Sequence, residues 1–146
     1  MVLQRWQSVY LFIAAVLMMI YAFSPIAELT LDSATVELTM RGATGINNVG
    51  YMWAFFAVSV LVSLFSLVTI FKYKNLKLQK KMCLIGGCLT VALLVSLMIV
   101  VIMTECLSYS ITLFNVIPVV AIIMFYLADC GISKDQKILS SYDRIR

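Results

Sequence analysis

The sequence predicts an all-α membrane protein: four transmembrane helices in an antiparallel bundle, with a short extracytoplasmic β-hairpin between helices 1 and 2. Three observations lead there. Of 146 residues, 63% are hydrophobic and only 12% charged, about half the charge of a soluble domain. Four uncharged runs have roughly the 20 residues that a helix needs to cross a ~30 Å hydrocarbon layer. Of the eleven Lys and Arg, all but Arg41 fall in segments that would share one side of such a bundle.

The first span is expected at Trp6–Phe23 and the second at Tyr51–Phe71. The third is expected at Met82–Met103 and the fourth at Leu107–Ala128. Arg5, the lysines between spans two and three, and Lys134, Lys137, Arg144 and Arg146 in the tail occupy the basic side. Basic connections are retained in the cytoplasm, so both termini are expected there. Span one also has the outline of a signal peptide, but Pro25 would occupy the small-residue position of a cut after Ala27. It is therefore read as retained.

Residues 24–50 form the outer segment, and their period changes from helical to alternating. Leu29 and Leu31 alternate with Glu28, Thr30 and Asp32, and Val36, Leu38 and Met40 with Glu37, Thr39 and Arg41. This is a hairpin with one apolar face. A lone two-stranded hairpin is marginal in water, so that face rests on the protein's own helices or on a partner. Residues 1–128 are read as the membrane domain and 129–146 as a cytoplasmic amphipathic tail. Ser133 and Gln136 have capping-box spacing. Ile138, Leu139, Tyr142 and Ile145 then fall on one side of a short helix suited to the inner membrane surface. Candidate lipid-headgroup or partner contacts are Lys72, Lys74, Lys77, Lys80 and Lys81 together with Ile138, Tyr142, Arg144 and Arg146.

The chain contains no histidine, which excludes His-dependent triads, His metal sites and His pH switches. Cys83 and Cys88 are five apart, about 140° around a helix, and Cys106 and Cys130 belong to opposite sides, so no metal site is expected. Glu105 and Asp129 are placed at span ends, where water reaches them. No cofactor and no nucleic-acid partner is expected, and an enzyme is disfavoured because no nucleophile has an activating base.

Interhelical polar contacts are assigned to Ser59, Ser63 and Ser66 on span two and to Gly86, Gly87 and Thr90 on span three. These two faces are expected to pack on each other, since small residues let helices approach closely in lipid. Asn115 and Pro118 are read as a kinked, hydrogen-bonded contact in the middle of span four.

Three segments resemble a known family: Leu3–Met18 (LQRWQSVYLFIAAVLM), Thr69–Cys83 (TIFKYKNLKLQKKMC) and Lys134–Arg146 (KDQKILSSYDRIR). They are similar to small four-span inner-membrane proteins of Bacteroidetes grouped as a domain of unknown function. The Asp143-Arg144-Ile145-Arg146 ending is the most specific part. Gln136 stands where that family usually has an acid, and Ile138-Leu139 where it has Leu-Val. The resemblance implies a bacterial cytoplasmic membrane and no particular activity. The expected role is a non-catalytic accessory or scaffold subunit of an envelope complex, its partners being the lipid bilayer and a membrane protein or a second copy. The alternative is a small oligomeric transporter or channel, although span one lacks the glutamate of small multidrug transporters.

Overall fold

The computed structural model describes residues 4–31, 34–43, 52–72, 75–103 and 109–143. In chain order these form α1 (Gln4–Phe23), β1 (Pro25–Leu31), β2 (Ala34–Thr39), β3 (Gly42–Ala43) and α2 (Met52–Phe71). Then follow α3 (Leu76–Met103), β4 (Tyr109–Ile111), a 3-10 turn (Leu113–Asn115) and α4 (Val116–Asp143). All four α-helices are long and apolar enough to cross a membrane, over Trp6–Phe23, Met52–Phe71, Leu76–Val100 and Leu113–Ser141.

Helix order follows from which backbones come close. The hydroxyls of Ser59, Ser63 and Ser66 donate to the carbonyls of Met18, Ala15 and Leu11 at 3.0, 2.8 and 2.7 Å. Advancing along α2 retreats along α1, so the two are antiparallel. The serine face therefore meets α1, not α3 as the small residues on both spans predict. Periodicity identifies a face but not its neighbour, and the buried Ala14, Ala15 and Ala22 bring the α1 backbone within reach. Replacing Ser63 by Ala should lower stability by only about 0.6 kcal/mol, the average for such bonds in a bundle. Ser63→Leu should cost severalfold more by overpacking, as read by reversible unfolding in detergent.

α1 also packs antiparallel on α4, tied by Gln7 to Asp135 at one end and by Tyr21 to Asn115 at the other. α3 completes the bundle against α4, with a lesser contact to α2. Here the expectation for Gly86 and Gly87 is corrected too. A Cβ on Gly86 would lie 2.9 Å from the Phe125 ring, and one on Gly87 would touch Phe125 Cβ at 3.7 Å, so these glycines face α4. Thr90 is buried and spends its hydroxyl on the Gly86 carbonyl of its own helix. The bundle core joins Leu11, Met18, Tyr21, Val62, Leu93 and Phe125.

The segment between α1 and α2 forms more than a hairpin. β1 and β2 pair antiparallel, β3 continues the sheet, and β4, from the connection between α3 and α4, adds to β1, giving the order β3-β2-β1-β4. β4 has only three residues inside an otherwise uncharged run, too few for an alternating period to show. That run was assigned wholly to span four, whose helix begins at Val116 rather than Leu107. A bulge between Pro25 and Ala27 lets the consecutive residues Ile26 and Ala27 both turn inward. Ala27 then joins Leu38 and Met52 in a small second core.

On the opposite sheet face Glu28 and Glu37 are direct cross-strand neighbours and exposed. Like charges so placed repel. Glu37→Thr is thus expected to stabilise the sheet end by about 0.2–1 kcal/mol, visible as a higher unfolding midpoint at neutral pH.

Two further expectations change. α4 is one unbroken helix from Val116 to Asp143, so residues 129–143 extend span four instead of starting anew at Ser133. The capping-box spacing lies in the interior of a helix whose backbone donors are already used. Likewise Pro118 causes no kink. It is the third residue of α4, where the missing N–H is one the helix start leaves unpaired anyway, and it is fully buried.

Candidate functional site

The two ends of the bundle carry different chemistry. At the sheet end, the buried Tyr21 hydroxyl donates to Asn115 Oδ1 at 2.8 Å. Asn115 Nδ2 in turn donates to the carbonyls of Ile26 at 2.7 Å and Thr112 at 3.2 Å. Asn115 therefore sits in the 3-10 turn at the junction of bundle and sheet, not in the middle of a span. One side chain locks α1, β1 and the start of α4 together.

Arg41 lies over the rings of Phe23 and Phe56, its guanidinium carbon 4.5 and 5.1 Å from their centroids. Phe23 and Phe56 meet edge to face at 5.6 Å, and Trp53 meets Phe56 at 5.9 Å. Arg41 is thus held by an aromatic cluster where α1 ends and α2 begins, an arrangement worth about 0.5–1 kcal/mol when exposed. Topology counting treated Arg41 as the odd charge out. A cation within a segment flanked by Phe23 and Trp53 was the signal that it overlooked.

The other end gathers the lysines. Lys72 is exposed just beyond α2, and Lys77, Lys80 and Lys81 stand in the first turns of α3, which therefore begins six residues earlier than Met82. Lys74, Arg144 and Arg146 lie outside the described residues. Tyr142 falls in the last turn of α4, and Ile138 is exposed on it.

The structure brings only part of the predicted set together. Lys77 and Lys80 share a cleft of about 660 Å³ with Lys137, Asn75, Ser133 and Gln136. Lys137 had been read merely as a tail charge. It enters the site because α4 runs on unbroken beside α3, which no local signal announces. Asn75 caps α3, its Oδ1 accepting from the Leu78 amide at 3.4 Å and its carbonyl from the Gln79 amide at 2.9 Å.

Further along the same pair of helices lies an apolar groove of about 520 Å³ bordered by Leu84, Gly87, Cys88, Val91, Ala92 and Tyr126. Asp129 belongs to its rim, and one of its carboxylate oxygens is buried without a partner. This corrects its placement at a span end. Because α4 starts late, Asp129 lies inside the apolar stretch, six residues or about 9 Å along the helix axis from Asp135. Asp135 accepts a 2.5 Å bond from Gln7 Nε2, and Gly131 leaves the room that Gln7 fills.

Among the described residues no group of three or more His, Cys, Asp or Glu is arranged to hold a metal ion. No curated protein and no solved structure matches this chain. A family described as a domain of unknown function, DUF4293, matches it over residues 3–145, and with nearly the whole length covered the chain belongs to that family.

Proposed function

We propose that this is an integral protein of a bacterial cytoplasmic membrane, with both termini and the lysine-bearing end in the cytoplasm. It acts there as a non-catalytic accessory or scaffold subunit of an envelope complex. The observation that carries this reading is how the bundle distributes its polar groups. Ser59, Ser63, Ser66 and Thr90 are buried and bonded to helix carbonyls. Leu61, Phe12, Leu84 and Phe71, by contrast, are 56–77% exposed. Water would favour the reverse arrangement, whereas hydrocarbon accommodates it. The three serine hydroxyls are spent in holding α1 to α2, which suits a structural component better than a conduit.

The surfaces left for partners are the acidic sheet face and the last turns of α4. Mild detergent extraction of the full chain is expected to yield a defined companion, lost when residues 138–146 are removed. This truncation spares Asp135 and Ile132 and so leaves the α1–α4 contact in place. A monodisperse chain without a companion in both forms would overturn the subunit reading. Cation or drug flux through the purified protein in liposomes, abolished by substituting Asn115, would replace it with the transporter.

A further inference from the structure

α3 begins in an unusual electrostatic setting. A helix N-terminus carries about half a positive charge and normally attracts acids. Here the first turn holds no acid, and Lys77, Lys80 and Lys81 occupy the first six residues. The last turns of α4 add Lys137 to the same cleft. The cleft's lining includes neither neighbouring acid: Asp135 bonds Gln7 on α1, and Asp129 borders the groove instead. A cleft lined by three lysines, two amides and the Ser133 hydroxyl, set against a helix N-terminus, is built for an anion with several acceptor oxygens.

Its position along the helices identifies the anion's carrier. On α3 the residues Lys77, Lys80, Leu84, Gly87, Val91 and Val95 follow one another at intervals of three and four, a single stripe. On α4 Lys137, Ser133, Asp129, Tyr126 and Ile122 do the same in reverse. Cleft and groove are therefore successive stretches of one furrow, polar and basic at its mouth and apolar beyond. From Lys80 to Ala92 it runs twelve residues, about 18 Å, against a single-leaflet hydrocarbon depth of about 15 Å. Free phosphate would use only the mouth, and a partner helix would have no use for a basic mouth.

We infer that the α3–α4 furrow binds one anionic diacyl phospholipid, its phosphate on Lys77, Lys80 and Lys137 and one acyl chain along Leu84, Gly87, Val91 and Ala92. This rests on the membrane reading above and adds a ligand to it. Asp129 stands at the neck between the two stretches. Its carboxylate repels an anion there and holds the phosphate out at the lysines.

The test uses purified full-length protein in neutral detergent, titrated with phosphatidylglycerol, phosphatidylcholine or inorganic phosphate and read by thermal shift and native mass spectrometry. Phosphatidylglycerol is expected to bind with one-to-one stoichiometry. Lys77→Gln, Lys80→Gln and Lys137→Gln should each weaken it about fivefold, the effect of one lysine near an anionic headgroup. Lys81→Gln is the control: Lys81 is exposed beside the site but outside the cleft, and its loss should change affinity less than about twofold. Ala92→Trp, on the exposed groove wall, should abolish lipid binding without lowering the lipid-free melting temperature. Asp129→Asn should strengthen it.

Equal effects at Lys81 and Lys80 would mean a diffuse basic surface and overturn the site, as would equal binding of phosphatidylcholine. A full response to inorganic phosphate, insensitive to Ala92→Trp, would reassign the cleft to a free anion. Cross-linking of two copies through the exposed Cys88, unaffected by phosphatidylglycerol, would assign the groove to a second chain. Failure of the membrane reading itself is distinguishable, since the protein would then stay soluble without detergent.

Discussion

Substituting Gly86 by leucine is expected to lower stability by about 3 kcal/mol, the upper part of the range for overpacking a closed core. A Cβ here would sit 2.9 Å from Phe125 Cε1 and 3.1 Å from Cζ. Two effects oppose each other at this position. Any residue with a Cβ gains roughly 1 kcal/mol of helix propensity over glycine, and a ring tip moves more readily than a backbone. Phe125, however, is 3% exposed, and its carbonyl accepts from the Cys83 thiol at 3.1 Å one turn away. The ring has little space to retreat into, and its backbone is tied to the helix that would push it. Gly86→Ala should therefore be nearly neutral, propensity offsetting a small shift of the ring, whereas Gly86→Leu forces the helices apart. Pairing Gly86→Leu with Phe125→Ala should recover part of the loss. A double-mutant cycle on unfolding in mixed micelles reads the coupling, and an additive result would mean that the two side chains do not meet.

Asn115→Leu is expected to cost about 1–3 kcal/mol, because it orphans the buried Tyr21 hydroxyl. The Tyr21 hydroxyl loses its only observed acceptor, while the Ile26 carbonyl keeps the Thr112 amide at 3.3 Å and is the less affected. If the tie works this way, Tyr21→Phe in the leucine background should restore much of the loss, since removing both partners leaves no unsatisfied group. The damage should also be local. β1 and the start of α4 share this side chain, so amide exchange should accelerate at residues 25–31 and 109–116 before the lysine-bearing end is affected. A well-folded Asn115→Leu protein with unchanged exchange would contradict the structural role.

What was readable in the sequence divides along physical lines. Solvent preference is written residue by residue, so the four apolar helices and the change to an alternating period after Ser24 were legible. Helix neighbours were not, because Ser59, Ser63 and Ser66 mark a face and say nothing of which backbone lies across from it. β4 was hidden by its length, since Tyr109–Ile111 cannot display a period against the surrounding apolar run. That oversight displaced the start of α4, and with it Asn115, Pro118 and Asp129 were each misplaced by part of a span. The basic cleft was half visible. Lys77 and Lys80 stood out as a run, but Lys137 joins them only through the continuity of α4, a property of packing between distant segments.

The proposed topology has the four helices crossing a membrane, with the lysine-bearing end in the cytoplasm and the sheet outside. Paired reporters test it most directly: a fluorescent protein fused after Arg146, which matures only in the cytoplasm, and alkaline phosphatase inserted at 44–50, which is active only outside. A fluorescent membrane fraction is expected for the first and an active enzyme for the second. A dark carboxy-terminal fusion with an inactive phosphatase, or a fluorescent chain recovered in the soluble fraction, would contradict it.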